Sequence, residues 1–300
     1  MNHLIFLQDW RTNTYFVRVV LTLHVLLNLD IVLHLRSLDR IKKTKFWIII
    51  IWDMKFSEET RVFLRNEKFS ANAKIPVQIG ENIQTNRIDA IKKIVSGKRV
   101  INIGCCAHLC SIDLQLENNS HLHKNLLEVS EECIGFDIDE AAVNYLKNNK
   151  GWKNIFCSDI SSEENAVIRT SAWDYIVLGE ILEHVDNPVQ FLSEISKKYN
   201  KNIDKILITV PLSTNFLNVL YFILGYETIN SDHKYTFTPY TIAKVLFEAG
   251  YECEEFFTTQ FPTNQKKWSS RLFHRTLNFI TTLFPLFRES VLVVADFKKK

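Results

Sequence analysis

The stretch Val100-Ile101-Asn102-Ile103-Gly104-Cys105-Cys106-Ala107-His108 decides the reading of this chain. A short apolar run that ends in glycine is the pattern of a buried strand breaking into a tight turn. Downstream, Cys133-Ile134-Gly135-Phe136-Asp137 repeats the pattern and closes on an acid. A strand, a glycine turn, a helix and a second strand ending in Asp form a nucleotide-binding unit. Gly104 lets the backbone approach a ligand closely, and the carboxylate of Asp137 is suited to hold both hydroxyls of a ribose.

Working outward, strands are expected at residues 99–103, 133–136, 154–157, 173–178, 205–210, 251–258 and 290–297. Helices are expected at 57–70, 87–95, within 108–130, and at 140–148, 189–199 and 241–249. Asp139 is placed to cap one helix and Gly250 to stop another. The run 173–178 reads as a central strand. Strands alternating with helices, then two late strands, predict an α/β fold. It is a Rossmann-like, seven-stranded, mostly parallel sheet with helices on both faces and an antiparallel strand near the end.

The chain has 300 residues, 46% hydrophobic and 23% charged, which fits a globular protein rather than a disordered one. A net charge of +2 gives no reason to expect a nucleic-acid partner. The six cysteines show no paired zinc spacing and read as free thiols in a reducing, cytoplasmic setting.

Residues 1–53 form a hydrophobic extension, 54–80 a helix and linker marked by Pro76 and Gly80, and 81–300 the main domain. The extension contains no Gly and no Pro, and its longest uncharged run is the 11 residues 19–29. A spanning helix needs roughly 18 or more. Three readings stay open: an amphipathic helical hairpin on the domain or a membrane surface, a poorly inserting anchor, or a start codon assigned upstream of the second of two methionines, Met54.

Ligands of such sheets bind outside the carboxyl ends of the strands. Those ends offer residues 102–108, Asp137, Asp159 and Gly179-Glu180. Asp137 suits the ribose hydroxyls of an adenosine and Asp159 its adenine amino group.

Four further stretches carry a family resemblance. They are Ile134-Gly135-Phe136-Asp137-Ile138-Asp139; Trp173-Asp174-Tyr175-Ile176-Val177-Leu178-Gly179-Glu180-Ile181-Leu182-Glu183-His184-Val185; residues 206–211, ending in Val210-Pro211; and Asp232-His233 followed by Phe237-Thr238-Pro239 and residues 246–251. In this order they resemble the motifs of class I S-adenosylmethionine-dependent methyltransferases, over residues 80–297. The resemblance implies S-adenosyl-L-methionine as cofactor, held by Asn102, Gly104, Cys105, His108, Asp137, Ile138, Asp159, Ile160, Gly179 and Glu180. It departs at the first motif. Asn102 stands in the usual acid position, only Gly104 survives of two or three glycines, and Cys106 and His108 take glycine positions. A subgroup with Gly-Cys then His in the turn, and a later Leu-His like Leu122-His123, is associated with glycan or lipid-linked metabolites.

A sulfonium methyl is already activated, so positioning supplies much of the rate. A base is needed when the acceptor loses a proton, and His184, Glu180 and His233 are the candidates. Glu180, Glu183 and His184 also resemble a run that binds a divalent ion in some quinone-pathway O-methyltransferases, but no metal centre is assigned. The expected activity is methyl transfer to a small acceptor, a hydroxyl of a sugar, lipid or quinone-like molecule. A non-catalytic cofactor-binding protein and a membrane-associated scaffold are the alternatives.

Residues 212–226 and 266–287 are unusually apolar, the latter with Lys266, Lys267, Arg271 and Arg275. They are expected to be cover helices packed on the core. The competing reading is contact with a greasy acceptor or a membrane surface.

Overall fold

Seven strands form one sheet in the order β3-β2-β1-β4-β5-β7-β6. The computed structural model describes residues 56–75, 86–260 and 268–298, all within one compact unit, Ile51–Lys300. The expected hydrophobic extension 1–53 and the linker marks Pro76 and Gly80 lie outside the described residues.

The elements run α1 (Glu58–Leu64), α2 (Arg87–Val95), β1 (Arg99–Ile103), α3 (Ile112–Glu117), α4 (Leu122–Val129), β2 (Glu132–Asp137), α5 (Glu140–Lys150) and β3 (Ile155–Cys157). They continue with α6 (Ala166–Arg169), β4 (Trp173–Gly179), α7 (Pro188–Tyr199), β5 (Ile203–Pro211), α8 (Phe216–Ile223), α9 (Pro239–Glu248), β6 (Tyr251–Thr259), α10 (Trp268–Leu283) and β7 (Ser290–Phe297). Strands β1 to β5 pair in parallel, and β7 runs antiparallel to both β5 and β6.

Side chains alternate across each strand, and this divides the core. Ile101, Ile103, Ile134, Phe136, Ile176 and Leu178 fill one face of the sheet. Val100, Val177, Leu207 and Leu292 fill the other, under Ala90, Ile91 and Val95 of α2 and Leu126 of α4. In β4 the run Ile176, Val177, Leu178 is fully buried, as a central parallel strand requires. The chain turns one way from β1 to β3 and the other from β4 onward. The C-terminal ends of β1 and β4 are therefore the switch point of the sheet.

Polar side chains set the helix starts. Asn86, Asp139, Asn187 and Asn215 each accept a backbone N–H of the helix that follows, and Thr238 forms a capping box with Thr241. Three expectations change. The expected 57–70 helix stops at Leu64. The crossover helix expected within 108–130 is two short ones, α3 and α4, broken where Asn119 takes φ +55°. The cover-helix reading of residues 212–226 holds only in part, because Leu212 is in the core whereas α8 contains no buried residue and Tyr221, Phe222 and Ile223 at its end are exposed.

Candidate functional site

A cleft of about 1070 Å³ opens at the C-terminal ends of β1 to β4. Its floor is the turn after β1. Gly104 has φ +66°, and a Cβ there would stand 2.1 Å from Ile181 Cδ1. The N–H groups of Gly104 and Cys105 both donate to the Phe136 carbonyl, at 2.8 and 3.2 Å. The turn is thereby locked to the end of β2.

Asp137 ends β2 and faces the cleft. Its Oδ2 accepts the Cys106 N–H at 2.8 Å and its Oδ1 the Asp139 N–H at 3.0 Å. Two backbone donors fix the carboxylate, which keeps further lone pairs for a ligand. Ile138 beside it is 77% exposed on the cleft wall, an apolar shelf next to a fixed acid. Asp159 follows β3, with the Ser161 N–H and hydroxyl donating to Oδ1 at 2.9 and 2.6 Å. Burial pushes its carboxyl up, yet these hydrogen bonds outweigh it and the acid sits below its ordinary range. Ile160 is buried beneath.

At the end of β4, a Cβ on Gly179 would meet Leu122 Cδ2 at 2.4 Å. Glu180 then takes φ +59°, a left-handed conformation uncommon outside glycine. Its carboxylate lies 3.8 Å from Arg87 Nε, and both side chains line the cleft. Sequence reading gave Arg87 no site role, because it only opens a helix well before the glycine turn. Its neighbourhood exists only once α2 packs against β4 and β5.

The far wall comes from the segment between α8 and α9. Lys234 pairs with Asp186, Tyr235 donates to the Asp186 carbonyl at 2.6 Å, and Asn230 and Lys234 face the cleft. His108, on the glycine turn, reaches across to Asp232 at 3.8 Å.

Behind this wall Glu183 is fully buried, and neither carboxylate oxygen has a hydrogen-bond partner among the described residues. Burial, then the nearby Glu180 carboxylate, pushes its carboxyl up to about 8. The His184 and His233 rings meet edge to face at 4.6 Å. His184 lines the cleft, whereas His233 backs it. Burial first, and then His184, holds His233 below its ordinary value. One ligand atom from each of Glu183, His184 and His233 lies within 4.8 Å of the others, a donor set of one carboxylate and two imidazoles. A second such group is Cys105, Cys106 and Asp137. There the hydrogen bond with Cys106, followed by burial, holds the Cys105 thiol far above its ordinary value, against the thiolate a metal prefers. All six cysteines are free.

The structure brings together Gly104, Cys105, His108, Asp137, Ile138, Asp159, Ile160, Gly179, Glu180 and His184 on one cleft. Asn102 is the correction. It is fully buried and its Nδ2 lies 3.3 Å from His123 Nδ1, so it does not line the cleft. Alternation along β1 sends it to the α4 face, between Val100 and the turn. An acid there would be buried against an imidazole that burial, then His121, holds neutral, with its value near 3.

Comparison with curated proteins finds no match. Solved structures include magnesium protoporphyrin IX methyltransferase from Synechocystis PCC 6803 with bound SAH, at 15% identity over 70% of this chain and 82% of that one, TM-score 0.44. A small RNA methyltransferase matches at 15% identity over 76% of this chain and 28% of that one, TM-score 0.46. A SAM-dependent methyltransferase from Archaeoglobus fulgidus matches at 18% identity over 70% and 94%, TM-score 0.39. A family described as a methyltransferase domain matches residues 77–255. With that match spanning the glycine turn, the strand-end acids and the sheet that carries them, the chain belongs to the class I S-adenosylmethionine-dependent methyltransferases.

Proposed function

We propose that this methyltransferase acts on a hydroxyl of a small acceptor, sugar, lipid-linked or quinone-like, and that the buried cluster behind His184 serves the acceptor's proton. The observation that carries the reading is the juxtaposition of Glu183, His184 and His233 at one wall of the cleft. A nitrogen or thiolate nucleophile needs little such help, but a hydroxyl must shed its proton as it attacks.

The strand ends fit the cofactor. Gly104 leaves the turn without a Cβ where one would collide, and a fixed carboxylate and an apolar shelf adjoin it. Asp137 holds the ribose hydroxyls, Ile138 covers the adenine face and Asp159 receives its amino group. The methionine end is a zwitterion, and Arg87 beside Glu180 offers one cation and one anion to it. Bound S-adenosylmethionine supplies the activated methyl group. The chain's own residues bind, orient and exclude water.

His184, on the cleft wall, accepts the acceptor's proton, and His233 against its edge fixes the ring. A divalent cation is a second reading of the same cluster, favoured by the two unpaired oxygens of a fully buried carboxylate. Glu183, His184 and His233 would hold it, and it would neutralise Glu183 and lower the pKa of a nearby hydroxyl.

Calorimetric titration of S-adenosylmethionine into the full chain tests the cofactor half. Asp137→Ala is expected to weaken binding about a hundredfold, the loss of charge-assisted hydrogen bonds to two hydroxyls. Turnover on a panel of sugar, quinol and lipid-linked hydroxyls, with His184→Gln beside the wild type, tests the rest. Titration of Mg²⁺, Mn²⁺ and Zn²⁺ into wild type and Glu183→Gln separates the two readings of the cluster. Cofactor binding without turnover on any hydroxyl would reject the proposed acceptor class.

A further inference from the structure

Helix α10 is amphipathic in the reverse sense. At about 100° per residue, Leu272, Phe279 and Leu283 fall on one line along it. They are 52%, 60% and 58% exposed. The opposite side docks largely through polar groups. Thr281, fully buried, donates to Gln260 Oε1 at 2.8 Å, and the Arg288 guanidinium donates to the Thr281 carbonyl at 3.2 Å. Among the described apolar side chains of α10, Leu277 is the buried one. A surface helix of a globular domain ordinarily turns its apolar stripe inward. Here the core receives the hydroxyl and solvent receives the stripe.

A second apolar element adjoins it. In and just after α8, Tyr221, Phe222, Ile223 and Tyr226 are 41%, 57%, 75% and 63% exposed. The start of α8 is tied to the turn that follows α10, where the Phe216 and Phe287 rings lie 6.0 Å apart and the Thr214 hydroxyl donates to the Leu286 carbonyl at 2.6 Å. Pro211 pairs with Ser290 just beneath, so this junction stands at the same edge of the sheet as the cleft.

The charge on these segments is one-sided. Residues 266–287 contain four Lys or Arg and no Asp or Glu, and residues 212–226 contain no charged residue. Arg271 and Arg275 are exposed and lie along one side of the apolar stripe. An apolar stripe bordered by guanidinium groups, with aromatic side chains at its edge, matches an interfacial helix lying at the headgroup level of a bilayer. A bilayer is selected over a protein partner by that acid-free cationic border, which anionic headgroups complement.

We infer that α10, with the end of α8, is a docking surface for an anionic lipid membrane. This goes beyond the methyl-transfer reading and rests on it only for the consequence that the cleft opens beside the bilayer, where a lipid-linked acceptor resides.

The test is flotation of the full chain with vesicles of phosphatidylcholine alone and of phosphatidylcholine mixed with phosphatidylglycerol. The expected result is partitioning onto the anionic vesicles that weakens as salt rises. Arg271→Gln/Arg275→Gln is expected to weaken it about 30-fold, the loss of two headgroup-facing cations. Leu272→Ser/Phe279→Ser/Leu283→Ser is expected to abolish it while leaving the heat of S-adenosylmethionine binding unchanged, which shows that the variant is folded. Three results overturn the inference: no partitioning by the wild type, partitioning the triple variant retains, or a wild-type dimer that does not float and that the triple variant dissociates. Cofactor binding is read separately, so failure here and failure of the methyl-transfer reading are distinguishable.

Discussion

Replacing Gly104 by Ala tests whether the cleft floor is built on backbone geometry. Two costs are separable. The first is conformational: at φ +66° an L-residue pays about 1–2 kcal/mol relative to glycine. The second is steric, because the new Cβ would lie 2.1 Å from Ile181 Cδ1 and 3.0 Å from Cγ1. These are outer atoms of a partly buried side chain that lines the cleft, so Ile181 moves rather than the strand. Overpacking of this kind costs about 1–3 kcal/mol when the neighbour is well packed, and less when it can turn away. The expectation is a loss of about 2 kcal/mol in denaturant unfolding, with a larger proportional loss in cofactor affinity because Ile181 is displaced toward the cleft. Ile181→Ala on top of Gly104→Ala removes the collision and leaves the φ cost. The double variant is expected to regain cofactor affinity and still unfold about 1 kcal/mol earlier than Ile181→Ala alone. Calorimetric binding and urea titration of the four proteins close the cycle. If Gly104→Ala bound S-adenosylmethionine with wild-type affinity and unfolded with wild-type stability, the reasoning about this turn would be wrong.

Three further outcomes concern His121, Arg87 and Phe136. His121 is 1% exposed, and neither ring nitrogen has a hydrogen-bond partner among the described residues. Burial, then Lys124, pushes it from 6.5 to about 4. The unfolded imidazole binds a proton below pH 6.5 and the folded one does not, so stability falls as pH drops from 6.5 toward 4. At pH 5 this amounts to about 2 kcal/mol, which His121→Phe is expected to recover in unfolding measured at pH 5 but not at pH 8. Arg87→Met removes the cation beside Glu180 and is expected to weaken S-adenosylmethionine binding about tenfold or more, with little change for a ligand that lacks the amino-acid end. A tenfold loss for both ligands would place Arg87 in the architecture rather than at the methionine end. Phe136→Ala empties a fully buried site between β1 and β3 and is expected to cost about 3–5 kcal/mol in urea unfolding.

The sheet was legible in the sequence because a parallel strand must be apolar on both faces. Ile101, Ile134, Ile176 and Ile206 therefore announce themselves in runs, and Gly104 and Asp137 mark where two of those runs end. Strand ends are also where the fold places ligands, so Asp137, Asp159 and Gly179 were legible for the same reason. Asn102 was misplaced because motif order fixes which position aligns with an acid, whereas pleating fixes the face it occupies. Ile103, next to the turn, lines the cleft, and Asn102, one residue further back, therefore points to the opposite face of the sheet. Arg87 gave no signal, and Asp232 was marked only as part of a motif, since each meets its partner across the fold, at Glu180 and His108, and no local spacing encodes such a contact.

Helix α10 shows the limit of periodicity from the other direction. Its sequence alternates correctly for a helix with one apolar side, and the ordinary inference turns that side toward the core. Periodicity fixes the angle between Phe279 and Thr281, not which of them faces inward. That choice is made by what waits at the docking point. Here the docking point is the amide of Gln260 and the guanidinium of Arg288 beside Thr258, polar groups that need buried partners. Satisfying them with the Thr281 hydroxyl and carbonyl stabilises more than burying Leu283 would, because an unpaired buried amide or charge costs more than an exposed leucine. The apolar stripe is left outside as the consequence. A helix oriented by its hydrogen bonds rather than by its leucines has a surface available for a second apolar environment, and the arginines along its border are suited to an anionic one.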